Sequence, residues 1–212
     1  MKLSRMELDM GKRRTLLALS CPSIFHGIVE RAFSGQREHA LWRIDSLRGK
    51  NYLMILSTEA PDLTEAVLQV GIDGESWESK DYSPLLNRIR DGSSWNFRLV
   101  ANPTYSESRP GQRGKVHAHR TPEHQAQWLT EQGKRNGFAV TMDSFVITES
   151  RWYQFGKGNP GSREAQVRLL GVTYEGNLTV TDTEKFRKVL CCGLGREKAY
   201  GMGLMTVVSR EN

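Results

Sequence analysis

Residues 193–203 read Gly-Leu-Gly-Arg-Glu-Lys-Ala-Tyr-Gly-Met-Gly: a Gly-apolar-Gly triplet, five residues, and a second such triplet. Glycines allow positive φ and let a backbone approach a partner closely. Successive exposed N–H groups in such turns form anion-binding concavities, and Arg196 and Lys198 add positive charge at the same place. The chemistry on offer is phosphate binding. The pattern follows a helical stretch and no Gly-Lys-Ser/Thr follows it, so it is neither a dinucleotide fingerprint nor a P-loop. On the residues alone two readings stay open, an anion cradle and a tight glycine turn at a sheet edge.

A second reactive candidate is His26, near the start of a helical stretch. Histidine exchanges a proton near neutral pH and is the commonest general acid or base, although a helical histidine is more often a surface or core residue. His117 and His119 share one face of any strand, with His124 nearby, but no Cys, Asp or Glu stands close at ligand spacing, so no metal site is expected. Cys21, Cys191 and Cys192 form neither a CxxC motif nor an even disulfide framework and read as core-forming thiols of a reducing cytoplasm.

Positive charge is clustered. Between Arg109 and Arg135 lie Arg109, Arg113, Lys115, Arg120, Lys134 and Arg135 against Glu123 and Glu131. Further clusters are Lys12-Arg13-Arg14, the group Lys185, Arg187, Lys188, Arg196 and Lys198, and the looser set Arg151, Lys157, Arg163 and Arg168 around a Gly/Pro-rich turn. Any one of these suits a solvated surface; four on one chain favour a polyphosphate partner.

The elements that must position these residues fall into two similar halves. Leu3–Leu8 alternates as a strand, and Pro22 opens a helix running to about Ser34, with Ile24, Phe25, Ile28, Val29, Ala32 and Phe33 recurring at helical spacing. Arg14–Ala18 is too short to decide. Leu41–Asp45 and Tyr52–Ser57 make a strand pair about the turn at 48–51, and Asp62–Val70 suits a second helix. A closing strand would complete a β-α-β-β-α-β ferredoxin-like unit. Ser76–Ser94 turns polar and Gly/Ser-rich, and a linker falls near Gly92-Ser93-Ser94. Then come a strand at Trp95–Ala101, a polar loop at Thr104–Gly114, and a helix from Thr121-Pro122-Glu123 to about Gly133. Strands at Gly137–Met142, Ser144–Phe155 and Ala165–Val180, a helix at Thr183–Cys191 and a strand at Leu204–Val208 complete the chain. The expected fold is α+β, two tandem ferredoxin-like (RRM-like) domains with antiparallel sheets, residues 1–92 and 95–212.

The 212 residues carry a formal net charge of +6, with 38% hydrophobic and 25% charged residues. That apolar share excludes a mainly disordered chain. Apolar stretches such as Tyr52–Leu56 fall far short of the roughly 18 residues of a membrane-spanning helix, and Met1–Met10 has no apolar stretch of a secretory leader.

The glycine pattern, the opening Leu3-Ser4-Arg5-Met6, the pair Phe25-His26 and the stretch Phe97-Arg98-Leu99-Val100-Ala101-Asn102-Pro103 occur in one chain and in order. So do Gly114-Lys115-Val116, Thr121-Pro122-Glu123, Trp128-Leu129 and Val172-Thr173-Tyr174-Glu175-Gly176-Asn177-Leu178. Together they resemble the CasE family, the CRISPR-associated endoribonucleases of the type I-E Cascade complex. The resemblance covers essentially the whole chain, and the glycine pattern is its most specific part.

The resemblance implies an endoribonuclease that binds the repeat stem-loop of precursor CRISPR RNA. It would cut at the 3′ base of the stem by metal-independent 2′-OH attack, leaving a 2′,3′-cyclic phosphate, and keep the crRNA hairpin within Cascade. It implies no cofactor, other Cascade subunits as partners, DNA contact only through the assembled complex, and no membrane. It assigns catalysis to His26, as base or acid, and charge stabilisation or simple phosphate binding to Lys198. RNA contacts would fall to Arg98, Lys115, Arg120, Arg151, Lys157, Arg163 and Arg196 and to Gly193, Gly195, Gly201 and Gly203. Some relatives carry a tyrosine three residues before the histidine; here it is Ser23, and Tyr200 is the phenol within the glycine pattern. That departure keeps a non-cleaving hairpin-binding subunit open as an alternative. A ferredoxin-like protein binding a small anion or a protein partner is the third reading.

Overall fold

The computed structural model describes residues 1–34, 40–75, 77–109, 112–156 and 166–209, with the backbone alone at 108, 109, 112 and 113. Lys157 and Arg163 therefore lie outside the described residues, as does the Gly/Pro turn between them.

Strand β1 (Lys2–Glu7) leads into helices α1 (Arg13–Ser20) and α2 (Pro22–Arg31), then β2 (Leu41–Leu47), β3 (Lys50–Ser57), α3 (Thr64–Val70), β4 (Glu78–Asp81) and the short α4 (Ser83–Leu86). The sheet order is β2-β3-β1-β4, all antiparallel, which is the order of a ferredoxin-like unit. Strand β4 is the closing strand. It falls inside the stretch expected to be irregular, because all four of its residues are exposed on an edge and leave no alternation to read. The undecided segment 14–18 is helical: Thr15 and Ala18 are its buried face, and the Thr15 hydroxyl donates to the Val70 carbonyl.

This sheet is covered on both sides. Met6, Trp42, Leu53 and Ile55 face α1, α2 and α3. The alternate residues Leu3, Leu41, Met54 and Leu56 pack with the second half of the chain. Burial on both faces is why β3 reads as a continuous apolar run.

The second half contains β5 (Ser94–Ala101), β6 (Thr104–Arg109), β7 (Gln112–Ala118), α5 (Pro122–Arg135), β8 (Phe138–Ala139), β9 (Phe145–Gly156), β10 (Gln166–Val180), α6 (Thr183–Cys192) and β11 (Met205–Ser209). Its sheet runs β11-β5-β10-β8, with β9 also pairing β10. Trp95, Phe97, Leu99 and Ala101 alternate into the core. Helix α5 starts at Thr121, whose hydroxyl accepts from the His124 amide, and α6 starts at Asp182, which accepts from the Lys185 amide. Two expectations are corrected here. The polar stretch 104–114 is half of a two-stranded hairpin, β6–β7, in which Glu107 stands opposite Lys115; its exposed, polar residues carry no period-2 signal. The strand expected at 137–142 shrinks to β8.

In two of the basic clusters some cations are engaged within the fold. Lys12 Nζ donates to the carbonyls of Val67, Leu68 and Gly71 at the C-terminal end of α3 and meets Asp73 at 2.6 Å, the end of a helix that favours a cation. Lys185 pairs with Asp182, and Arg187 with Glu184 and the carbonyls of Leu86 and Ile89.

Candidate active site

Proline at the first position of α2 fixes the chain's entry after Cys21, and one turn later Phe25 points into the core at 1% exposure. The next residue, His26, is thereby held on the rim between the two halves, about one-third exposed, with Nε2 3.4 Å from Glu30 Oε1 one turn along. Across the rim lies the Tyr200 ring, edge-on to the imidazole at 6.1 Å between centroids and 63° between planes. Tyr200 also meets Phe155 of β9 edge-on at 5.0 Å. Burial, with the nearby Glu197 carboxylate, raises the Tyr200 phenol above its ordinary pKa, so it stays protonated and able to donate.

Tyr200 ends a single 3₁₀ turn, Lys198–Tyr200, inside the glycine pattern. Gly193, Gly195, Gly201 and Gly203 all have positive φ, between 75° and 93°. At Gly201 and Gly203 close packing makes the demand absolute. A Cβ on Gly201 would lie 2.7 Å from the Trp42 ring, and one on Gly203 2.8 Å from the Leu194 carbonyl. The amides of Gly193, Leu194, Tyr200, Gly201 and Gly203 all donate to backbone carbonyls, the last to Val100 at 2.6 Å. The loop is thus a tight turn stitched to α6 and β5, which is the second of its two open readings for these five amides. Lys198 Nζ donates to the Cys192 carbonyl at 2.6 Å, at the C-terminal end of α6.

Beneath the rim runs a cleft of about 250 Å³ between the sheets, lined among others by Phe25, Trp42, Arg98, Arg151, Tyr153 and Tyr200. Arg151 is exposed on β9, its guanidinium 5.1 Å from the Tyr153 ring centroid. Lys115 on β7, Arg120 before α5 and Arg196 in the glycine loop are exposed as well. Arg98 stands apart from these exposed cations. It lines the cleft, but its guanidinium is bound by Glu175 and lies 3.0 Å from Asp45, so its charge is already met. Ser23 sits on the first turn of α2, its hydroxyl 3.1 Å from Cys21 Sγ.

Two residues that pattern reading passed over hold the seam together. Arg43, only 1% exposed, binds both oxygens of Asp45 and donates to the carbonyls of Arg98 and Leu204 and to Thr206 Oγ1. Trp42 donates from Nε1 to the Ala199 carbonyl at 3.2 Å. An arginine inside the apolar run Leu-Trp-Arg-Ile was the available signal, since a buried arginine requires partners. His117, His119 and His124 are joined by ring contacts, Tyr105 bridging the first two. Among the described residues no group of three or more His, Cys, Asp or Glu is arranged to hold a metal ion.

Two antiparallel sheets of ferredoxin-like order, with a histidine of one rim set against a glycine-bound phenol of the other, define a tandem α+β protein with a polar seam. The chain belongs to the CRISPR associated protein family, whose model matches residues 1–209. It is 27% identical to the CRISPR-associated endoribonuclease Cse3 of Thermus thermophilus, across 98% of this chain and 99% of that one. A solved structure of CRISPR endoribonuclease Cse3 bound to 19 nt RNA superposes with a TM-score of 0.80 at 25% identity, covering 98% of this chain and all of that one. The crystal structure of Cas6e from Escherichia coli str. K-12 shares the fold, with a TM-score of 0.60 at 15% identity, covering 99% of this chain and all of that one. Among the described residues no helix is long and apolar enough to cross a membrane.

Proposed function

We propose that this chain is an endoribonuclease that binds the repeat stem-loop of precursor CRISPR RNA, cuts at the 3′ base of the stem and retains the crRNA hairpin within Cascade in the cytoplasm. The observation that carries the reading is the His26 imidazole facing the Tyr200 phenol on the rim of the seam; the similarity to Cse3 across the whole chain supports it.

The proposed reaction is an internal displacement. A ribose 2′-OH gives up its proton as its oxygen bonds to phosphorus; the bond from phosphorus to the 5′-oxygen breaks, and that oxygen takes a proton. The products are a 2′,3′-cyclic phosphate and a 5′-OH. One proton leaves and one arrives, and His26 is the group suited to either task. Tyr200, a neutral phenol whose surroundings raise its pKa further, donates toward the phosphate or the leaving oxygen. In this reading Lys198 turns its ammonium from the Cys192 carbonyl to the charge that builds on the phosphate. No step calls for a metal ion or cofactor. Lys115, Arg120, Arg151, Arg196 and, outside the described residues, Lys157 and Arg163 serve the RNA backbone, since an A-form stem is recognised chiefly by shape and phosphates. Residues 1–92 bring the histidine; residues 95–212 bring the glycine loop and most of the cationic surface.

The test is single-turnover cleavage of the repeat RNA in EDTA by native protein and by His26→Ala. Native cleavage once at the stem base, with the variant still binding but slower by about 10²–10⁴-fold, is expected. Binding without cleavage by both proteins would establish the second reading, a hairpin-holding subunit, which Ser23 at the family's tyrosine position favours.

A further inference from the structure

We infer that Trp42 is a positioning residue for the reaction, one side chain that fixes His26 and Tyr200 relative to each other across the seam. The inference rests on the catalytic reading of that pair. Trp42 is 3% exposed on β2 and touches the supports of both groups. On one side its ring meets Phe25 at 5.6 Å and 45°. Phe25 is the residue before His26 and anchors that turn of α2 in the core. On the other side the indole N–H binds the Ala199 carbonyl, the residue before Tyr200. The six-membered edge of the ring fills the space where Gly201, the residue after Tyr200, has no side chain: Cζ3, Cη2 and Cε3 would lie 2.7, 2.9 and 3.0 Å from a Cβ there.

The phenol-bearing residue is thus gripped from both flanks by one ring, and the same ring abuts the turn that carries the imidazole. The neighbouring Arg43 extends the grip by donating to the Leu204 carbonyl, just beyond Gly203. Two reactive groups on separate halves of the chain, one on a helix and one in a loop, need such a common reference, because displacement by about 1 Å can cost on the order of 10²-fold in rate. A large hydrophobe that only fills the core needs neither the hydrogen bond to Ala199 nor the glycine opposite.

Two substitutions probe the grip from opposite sides. Trp42→Phe keeps an aromatic core residue and removes the N–H and the outer ring edge. Gly201→Ala keeps the indole and pushes a methyl against it. Both are checked for folding by circular dichroism and melting, then assayed by single-turnover cleavage at saturating repeat RNA, by RNA binding, and by the nuclear Overhauser contact between the His26 and Tyr200 rings. The expected result for folded Trp42→Phe is cleavage about 10–100-fold slower, RNA affinity within about 2-fold, and a weakened ring contact. Gly201→Ala should behave alike if it folds. Unchanged cleavage and an unchanged ring contact in folded Trp42→Phe would overturn the inference. Should native protein fail to cut, the catalytic reading falls and Trp42 loses its role in a reaction; a ring contact that Trp42→Phe still loses would then show only that the indole holds the two rings together.

Discussion

Arg43 and Asp45, two residues apart on β2, are joined by two hydrogen bonds of 2.7 and 2.6 Å in the seam between the sheets. Successive odd positions of a strand share one face, so the pair projects together toward the second half, and Arg98 approaches the same carboxylate from β5. The arginine at 1% exposure and the arginine at 33% answer to different physics. Removing the buried cation leaves Asp45 and two carbonyls short of donors; removing the solvent-screened one does much less. Arg43→Ala is expected to lower unfolding free energy by about 3–5 kcal/mol, and Arg98→Ala by about 1 kcal/mol or less, measured by urea titration.

Tyr200→Phe removes one hydroxyl and leaves both ring contacts in place. If the phenol donates in the cleavage step, single-turnover cleavage falls by about 10²-fold while RNA affinity is unchanged. Equal rates for native and variant protein would remove Tyr200 from the mechanism.

The RNA surface is testable by salt. Lys115→Ala, Arg120→Ala and Arg151→Ala should each weaken hairpin binding and reduce the slope of log affinity against log salt by about 1. Arg98→Ala should leave that slope unaltered, because Asp45 and Glu175 already hold the guanidinium. Fluorescence titration from low to moderate salt separates the two behaviours.

Two buried tyrosines make stability fall in alkali. Burial raises the pKa of both Tyr82 and Tyr174 above the unfolded value near 10. Their contribution is therefore complete below about pH 10 and lost as the pH rises toward the folded values. The two differ in one respect: Tyr174 donates its hydroxyl to the Gln125 carbonyl at 3.0 Å, whereas the buried Tyr82 hydroxyl has no hydrogen-bond partner among the described residues. Tyr174→Phe should cost about 1 kcal/mol at pH 8, and Tyr82→Phe should be neutral or stabilising by a similar amount. Denaturant titrations at pH 8 and pH 11 read both effects.

Much of the fold was legible because single faces were buried. Trp95, Phe97 and Leu99 alternate, and Thr121 announces its helix. Strand β4 and the β6–β7 hairpin escaped notice because edge strands with polar residues on both faces need only backbone pairing, which leaves no mark on side-chain type. The site was half legible. His26 and the glycine pattern stood out, but their contact spans 174 positions of chain and depends on how two sheets are stacked, a relationship that no local spacing encodes. The pairing of Arg98 was not legible, because its two carboxylates arrive from β2 and β10.

One side of the first sheet is covered in large part from outside its own half: Leu3, Leu41 and Leu56 share a core with Tyr82 and Ile89 but mostly with residues made later in synthesis. A nascent chain that has reached Gly92 already carries His26, yet it still exposes that oily surface. The histidine thus meets the Tyr200 ring only when the second half of the chain packs against that surface. A fragment ending at residue 92 should self-associate on size exclusion, and mixing it with the remaining fragment should restore a compact particle.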